Sequence, residues 1–153
     1  MYVHKDADLD IALDVIINGK SKISACNAVD KVLIDKNLSN KNEFIQTLIS
    51  KLKEFNIEIL GDTVTSKFND VSAFESDAIW YEEFLDYKIV IGEIASNEDT
   101  IAMINKYSGG HSSSIITKNE AEAKLFMENV DTAAVYHNAS TRFTDGGQLG
   151  LGG

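Results

Sequence analysis

KIVIGEIASNEDTIAMINKYSGGHSSSIIT, residues 88–117, sets the architecture. Residues 88–94 are an apolar run of strand length, built on Ile89, Val90, Ile91 and Ile94. Ser96 and Asp99 then offer a helix start, and Ile101, Ile104 and Tyr107 recur at helical steps. Ser108-Gly109-Gly110-His111-Ser112 reads as a turn, and Ser114-Ile115-Ile116-Thr117 as a second strand. Strand, helix and strand in that order form a crossover unit, whose two strands run parallel.

The same alternation continues on both sides. Upstream, residues 57–60 read as a strand behind the clearest helix of the chain. Asn40 and Glu43 predict a capping box there, and Phe44, Ile45, Leu48, Ile49, Leu52 and Phe55 form one face. Val32-Leu33-Ile34 reads as a buried strand. Before it, Leu9, Ala12, Leu13, Ile16 and Ile17 make residues 8–18 an amphipathic helix, with Gly19 as its stop. Asp6, Asp8 and Asp10 crowd the start of that helix, where negative charge suits the dipole. Residues 62–74 have weak periodicity and read as loop with short pieces of structure. Downstream, Asn119 predicts a helix through Ala123, Phe126 and Val130, and residues 133–137 a last strand. The expectation is one α/β domain with a largely parallel sheet flanked by helices.

Composition narrows the function. The 153 residues are 44% hydrophobic and 25% charged, the profile of a globular domain with a sizeable core. A net charge of −10, with the acids spread along the chain, argues against nucleic-acid or anionic-membrane partners. No apolar run is long enough for a membrane span, and no secretory leader is recognisable. The single cysteine makes no internal disulfide, which fits a reducing cytoplasm.

Cys26 is the sharpest candidate for chemistry. A lone cysteine is ordinarily a small buried apolar residue. Its setting, Ser24-Ala25-Cys26-Asn27-Ala28, is small and polar, and a thiol opening a helical turn is stabilised as the nucleophilic thiolate. Arg142 is the only arginine beside thirteen lysines. It follows the last strand, so the sequence places it at a carboxyl edge, where α/β sheets bind ligands. There it is either an anion holder or a surface residue in an ordinary ion pair. His4, His111 and His137 lack metal-ligand spacing. The 108–112 turn suits an anion or is a plain turn. Trp80-Tyr81-Glu82-Glu83-Phe84 is an acidic aromatic cluster that reads as a half-buried surface segment.

Several segments together resemble the gamma-glutamyl phosphate reductase family of the aldehyde dehydrogenase superfamily. They are the run from Asp6-Ala7-Asp8-Leu9-Asp10 through Lys20, Ser24-Ala25-Cys26-Asn27-Ala28, and Glu82-Glu83-Phe84-Leu85. The most distinctive is Asn138-Ala139-Ser140-Thr141-Arg142-Phe143-Thr144-Asp145-Gly146-Gly147, followed by Gly150-Leu151-Gly152. Lys22-Ile23 stands where that family carries Arg-Pro. The resemblance implies an aldehyde-dehydrogenase-like catalytic domain over residues 1–153, ending inside a glycine-rich motif, with the cofactor-binding domain outside the chain. It implies NADP(H)-dependent reduction of L-glutamyl 5-phosphate to L-glutamate 5-semialdehyde, in proline biosynthesis, through a thioacyl intermediate on Cys26. It also implies cofactor contacts from Glu83 and Phe84, and substrate contacts from Asn27, Ser140 and Arg142. A cytoplasmic homo-oligomer without metal or nucleic acid is expected. The alternative class is a folded, non-catalytic module that at most binds a partner.

Overall fold

The computed structural model describes residues 1–22 and 28–144. Its strands are β1 (Tyr2–Val3), β2 (Lys31–Asp35), β3 (Glu58–Gly61), β4 (Ser72–Ala73), β5 (Lys88–Ile94), β6 (Ser112–Ile116) and β7 (Ala134–His137). Its helices are α1 (Leu9–Ser21), α2 (Lys41–Glu54), α3 (Asn97–Tyr107) and α4 (Glu120–Asn129). The seven strands form one sheet in the order β4-β3-β5-β2-β1-β6-β7, and every pairing is parallel. The expected largely parallel sheet is therefore wholly parallel among the described residues. None of their helices is long and apolar enough to cross a membrane.

Alternation along the strands divides the interior in two. Val3, Val32, Ile34, Ile89, Ile91 and Ile116 face α1 and α2, packing on Ile16, Phe44 and Leu48. Their neighbours Tyr2, Leu33, Val90 and Ile115 face the other way, onto Ile104, Ala123 and Phe126 of α3 and α4. Each central strand thus buries both faces, which is why it reads as a continuous apolar run.

Local expectations hold in part. Asp8 caps α1, accepting the amides of Asp10 and Ile11. Ser96 caps α3 and Asn119 caps α4 through their side-chain oxygens. The Asn40–Glu43 box does not form: Asn40 sits in the left-handed region at φ 55° and makes no side-chain cap bond. Gly19 does not stop α1, which continues to Ser21. Its role is clearance, because a Cβ there would lie 2.4 Å from Cγ2 of Val29. Within residues 62–74, a 3-10 turn (Thr65–Lys67) and β4 are the short pieces expected.

Strand order reverses between β1 and β6, since α1 carries β1 toward β2 while α4 carries β6 toward β7. In open α/β sheets the crevice at the carboxyl end of such a point is the usual ligand site. Here it is closed by side chains. Nδ1 of His4, 2% exposed, accepts the Asp6 amide at 3.3 Å, so the Thr117 hydroxyl, 2.9 Å away, donates to it. Nε2 of His137 donates to the Thr117 carbonyl at 2.8 Å. Asn138 bonds both the amide and the carbonyl of Thr117. Among the described residues, no group of three His, Cys, Asp or Glu side chains is placed to hold a metal ion.

Candidate active site at the amino edge of the sheet

Cys26 and Asn27 lie outside the described residues, but both ends of their segment are fixed. Because α1 crosses between parallel neighbours, its last turn returns to the amino edge of the sheet, beside the start of β2. There the Val29 amide donates to the Gly19 carbonyl at 2.9 Å. Nζ of Lys20 meets Oδ1 of Asp30 at 3.2 Å, with the lysine side chain fully buried. Burial pushes the Lys20 ammonium below its ordinary range, and the Asp30 carboxylate works against that shift. Stripped of Asp30, Lys20 would be an uncompensated buried charge, the kind of loss that costs about 3–5 kcal/mol.

A cavity of about 220 Å³ opens at this edge, with Ala28, Lys31, Trp80, Glu83, Tyr107 and Thr141 among its walls. Glu83 stands exposed on its rim. Phe84 turns inward and is 6% exposed, joining the core cluster of α3 and α4. Its ring lies under Nζ of Lys31 at 3.9 Å from the centroid, and its amide donates to Oδ2 of Asp30 at 2.7 Å. Nζ of Lys31 also donates to the Glu82 carbonyl at 2.5 Å. Burial lowers the Lys31 ammonium to about 8, with Asp30 opposing the shift and Lys20 adding to it. The two residues of this aromatic segment therefore differ: Glu83 is open to a ligand, and Phe84 is an anchor.

Ser140 and Arg142 occupy a different place from the one the sequence suggested. Instead of staying at the carboxyl edge after β7, the chain doubles back, because Asn138 takes a left-handed φ of 54° and the Ser114 hydroxyl captures the Ala139 carbonyl at 2.6 Å. A 3-10 turn (Thr141–Thr144) then lies against β6 and β7. Ser140, 5% exposed, accepts the Arg142 amide at 3.2 Å. Nη1 of Arg142 donates to the carbonyl and Oδ1 of Asn18, at 3.2 and 3.1 Å, in the last turns of α1. Arg142 is thus at the amino edge, close to where the cysteine segment leaves its helix.

Glu83 and Arg142, far apart in sequence, consequently come to one edge of the sheet, with both ends of the Cys26 segment. Sequence reading missed Lys20, Asp30 and Lys31. Nothing in their spacing marks a pair whose partners meet only after the chain has turned. The 108–112 turn also reaches this edge: Gly109 and Gly110 have φ of 68° and 80°, and Gly109 and His111 line the cavity.

The family model described as aldehyde dehydrogenase family matches residues 68–153. A gamma-glutamyl phosphate reductase of Dictyoglomus thermophilum is 47% identical over 99% of this chain. One from Clostridium botulinum is 42% identical over 99%. The chain spans 36% of the length of each of these curated relatives. Among solved structures, the gamma-glutamyl phosphate reductase of Thermotoga maritima superposes with a TM-score of 0.91 at 40% identity, covering 97% of this chain and 36% of that one. The Saccharomyces cerevisiae protein of the same name gives 0.72 at 28% identity, over 98% and 38%.

Proposed function

This chain belongs to the aldehyde dehydrogenase family, and from that premise we propose that it is the cysteine-bearing catalytic part of an NADP(H)-dependent reductase acting on L-glutamyl 5-phosphate. The observation that carries the reading is identity of 42–47% with gamma-glutamyl phosphate reductases along 99% of the chain. The Cys26 thiolate attacks the acyl carbon, the bond from that carbon to the phosphate oxygen breaks, and phosphate leaves. NADPH, when bound, supplies the hydride that takes the resulting thioester to the aldehyde level. The carbon–sulfur bond then breaks, L-glutamate 5-semialdehyde departs and Cys26 recovers its thiolate. Asn27, Ser140 and Arg142 hold the charged groups of the substrate, with the guanidinium suited to carboxylate or phosphate.

The cavity beside Glu83 fits one end of a dinucleotide and no more, since about 220 Å³ is below the usual range for a whole drug-sized ligand. By its resemblance to the corresponding segment of the superfamily, Glu83 meets the ribose next to the nicotinamide. Phe84, buried under Lys31, supports that contact from behind. The rest of the cofactor belongs to a binding domain outside residues 1–153, and the protein works in the cytoplasm.

The same small cavity favours a second reading, a folded module that performs no turnover alone. One assay separates them: phosphate-dependent reduction of NADP with glutamate 5-semialdehyde, comparing the chain with Cys26→Ser. Activity that disappears in the variant supports catalysis through Cys26. Activity that persists rules out the thiol as nucleophile. Silence in both favours the module.

A further inference from the structure

Glu83 is held from both sides by Lys31, which opens β2, and by Asp30 just before it. The ladder between β2 and β5 ends where the Val90 amide meets the Asp30 carbonyl, so residues 82–84 lie beyond its reach and need other support. Asp30 supplies part of it by dividing its carboxylate: Oδ1 takes Lys20 at 3.2 Å and Oδ2 takes the Phe84 amide at 2.7 Å. Lys31 supplies the rest, donating to the Glu82 carbonyl at 2.5 Å and covering the Phe84 ring at 3.9 Å. The carbonyl before Glu83 and the amide after it are therefore both tied, while its own side chain stays exposed on the cavity rim. Lys20, fully buried in the last turn of α1, extends the same link to the helix that leads into the cysteine segment.

We propose that Asp30 and Lys31 are positioning residues that clamp the 82–84 segment so that the Glu83 carboxylate faces the cavity. The consequence for binding rests on the reading of Glu83 as a cofactor contact; the clamp itself does not. Neither residue touches the reacting atoms, and both act through Glu83. In Asp30→Asn one oxygen remains for two donors, so Lys20 and the Phe84 amide compete for it. Lys31→Met keeps the aliphatic stem over Phe84 and loses the charge and the donor.

The test uses the whole chain, with NADPH as the probe and Trp80, the single tryptophan and a wall of the cavity, as the fluorophore. Hydrogen exchange at the Phe84 amide is expected to quicken about tenfold in Asp30→Asn, the loss of one such bond, and less in Lys31→Met. Exchange at Ile91, inside the ladder, stays as it was. NADPH affinity falls in both variants, and Lys31→Met adds nothing further once Glu83→Gln is present, because coupled residues are non-additive. Unchanged Phe84 exchange overturns the clamp, as do affinity losses that simply add. A Glu83→Gln variant that binds NADPH as well as the parent overturns the cofactor role of Glu83 alone, and whether or not the parent chain holds NADPH, Phe84 exchange still judges the clamp. Lys31→Met, with its partly exposed side chain, carries the test where Asp30→Asn fails to fold.

Discussion

Lys31 is a residue whose burial opposes its charge, and that makes its contribution to stability depend on pH. Its ordinary value of 10.5 is lowered to about 8 in the folded chain. Between those values the unfolded chain holds a proton that the folded one has released, so stability rises with pH through the window; below about 8 the cost of burying the ammonium is present in full. Denaturation midpoints measured from pH 8 to 10.5 are expected to climb more steeply for the parent than for Lys31→Met. Parallel curves would remove the assignment. At this scale the sequence marked residues that sit in a motif, and the fold brings two of them, Glu83 and Arg142, to the same edge of the sheet. The sequence was illegible for Lys20 and Asp30, whose pairing is created by a helix end meeting a strand start. The location of Arg142 was misread for a related reason: a left-handed Asn138 reverses the chain, and asparagine tolerates that conformation without advertising it.

Among the elements, α1 shows what a glycine inside a helix is for. Gly19 lets the last turn approach Val29 closely enough for the 2.9 Å bond between the Val29 amide and the Gly19 carbonyl. Alanine is the better helix former by about 1 kcal/mol, yet its methyl would sit 2.4 Å from Val29 Cγ2. Overpacking of that kind costs about 1–3 kcal/mol. Gly19→Ala is therefore expected to lower stability in urea denaturation, and Val29→Ala in the same chain to restore part of the loss. A single variant as stable as the parent would mean that Val29 yields without cost. Helices and long strands were readable because their periods, near four and two residues, are long enough to count. β1 went unread because two residues carry no period, although its neighbours on both sides fix it in the interior of the sheet. The Asn40 cap was misjudged because residue type does not reveal backbone angle.

Across the molecule, the two apolar clusters share one sheet and so share its cooperativity. Leu48 and Phe126 are both fully buried, on opposite faces. Leu48→Ala is expected to cost about 2–5 kcal/mol and Phe126→Ala about 3–5. Trp80 lies with Phe126, so its fluorescence watches only that face. Leu48→Ala should nevertheless shift the Trp80 transition and the far-UV circular dichroism transition together. Separate midpoints would show two units unfolding apart. The closed crevice at the other end of the sheet carries a consequence for mutational scanning. His4, Thr117, His137 and Asn138 occupy with mutual bonds the position where such sheets ordinarily keep a guest. A deep scan of this chain would accordingly split by edge: variants at the carboxyl side would fail through low abundance, whereas variants at exposed amino-edge positions such as Glu83 would accumulate normally while losing whatever the protein does.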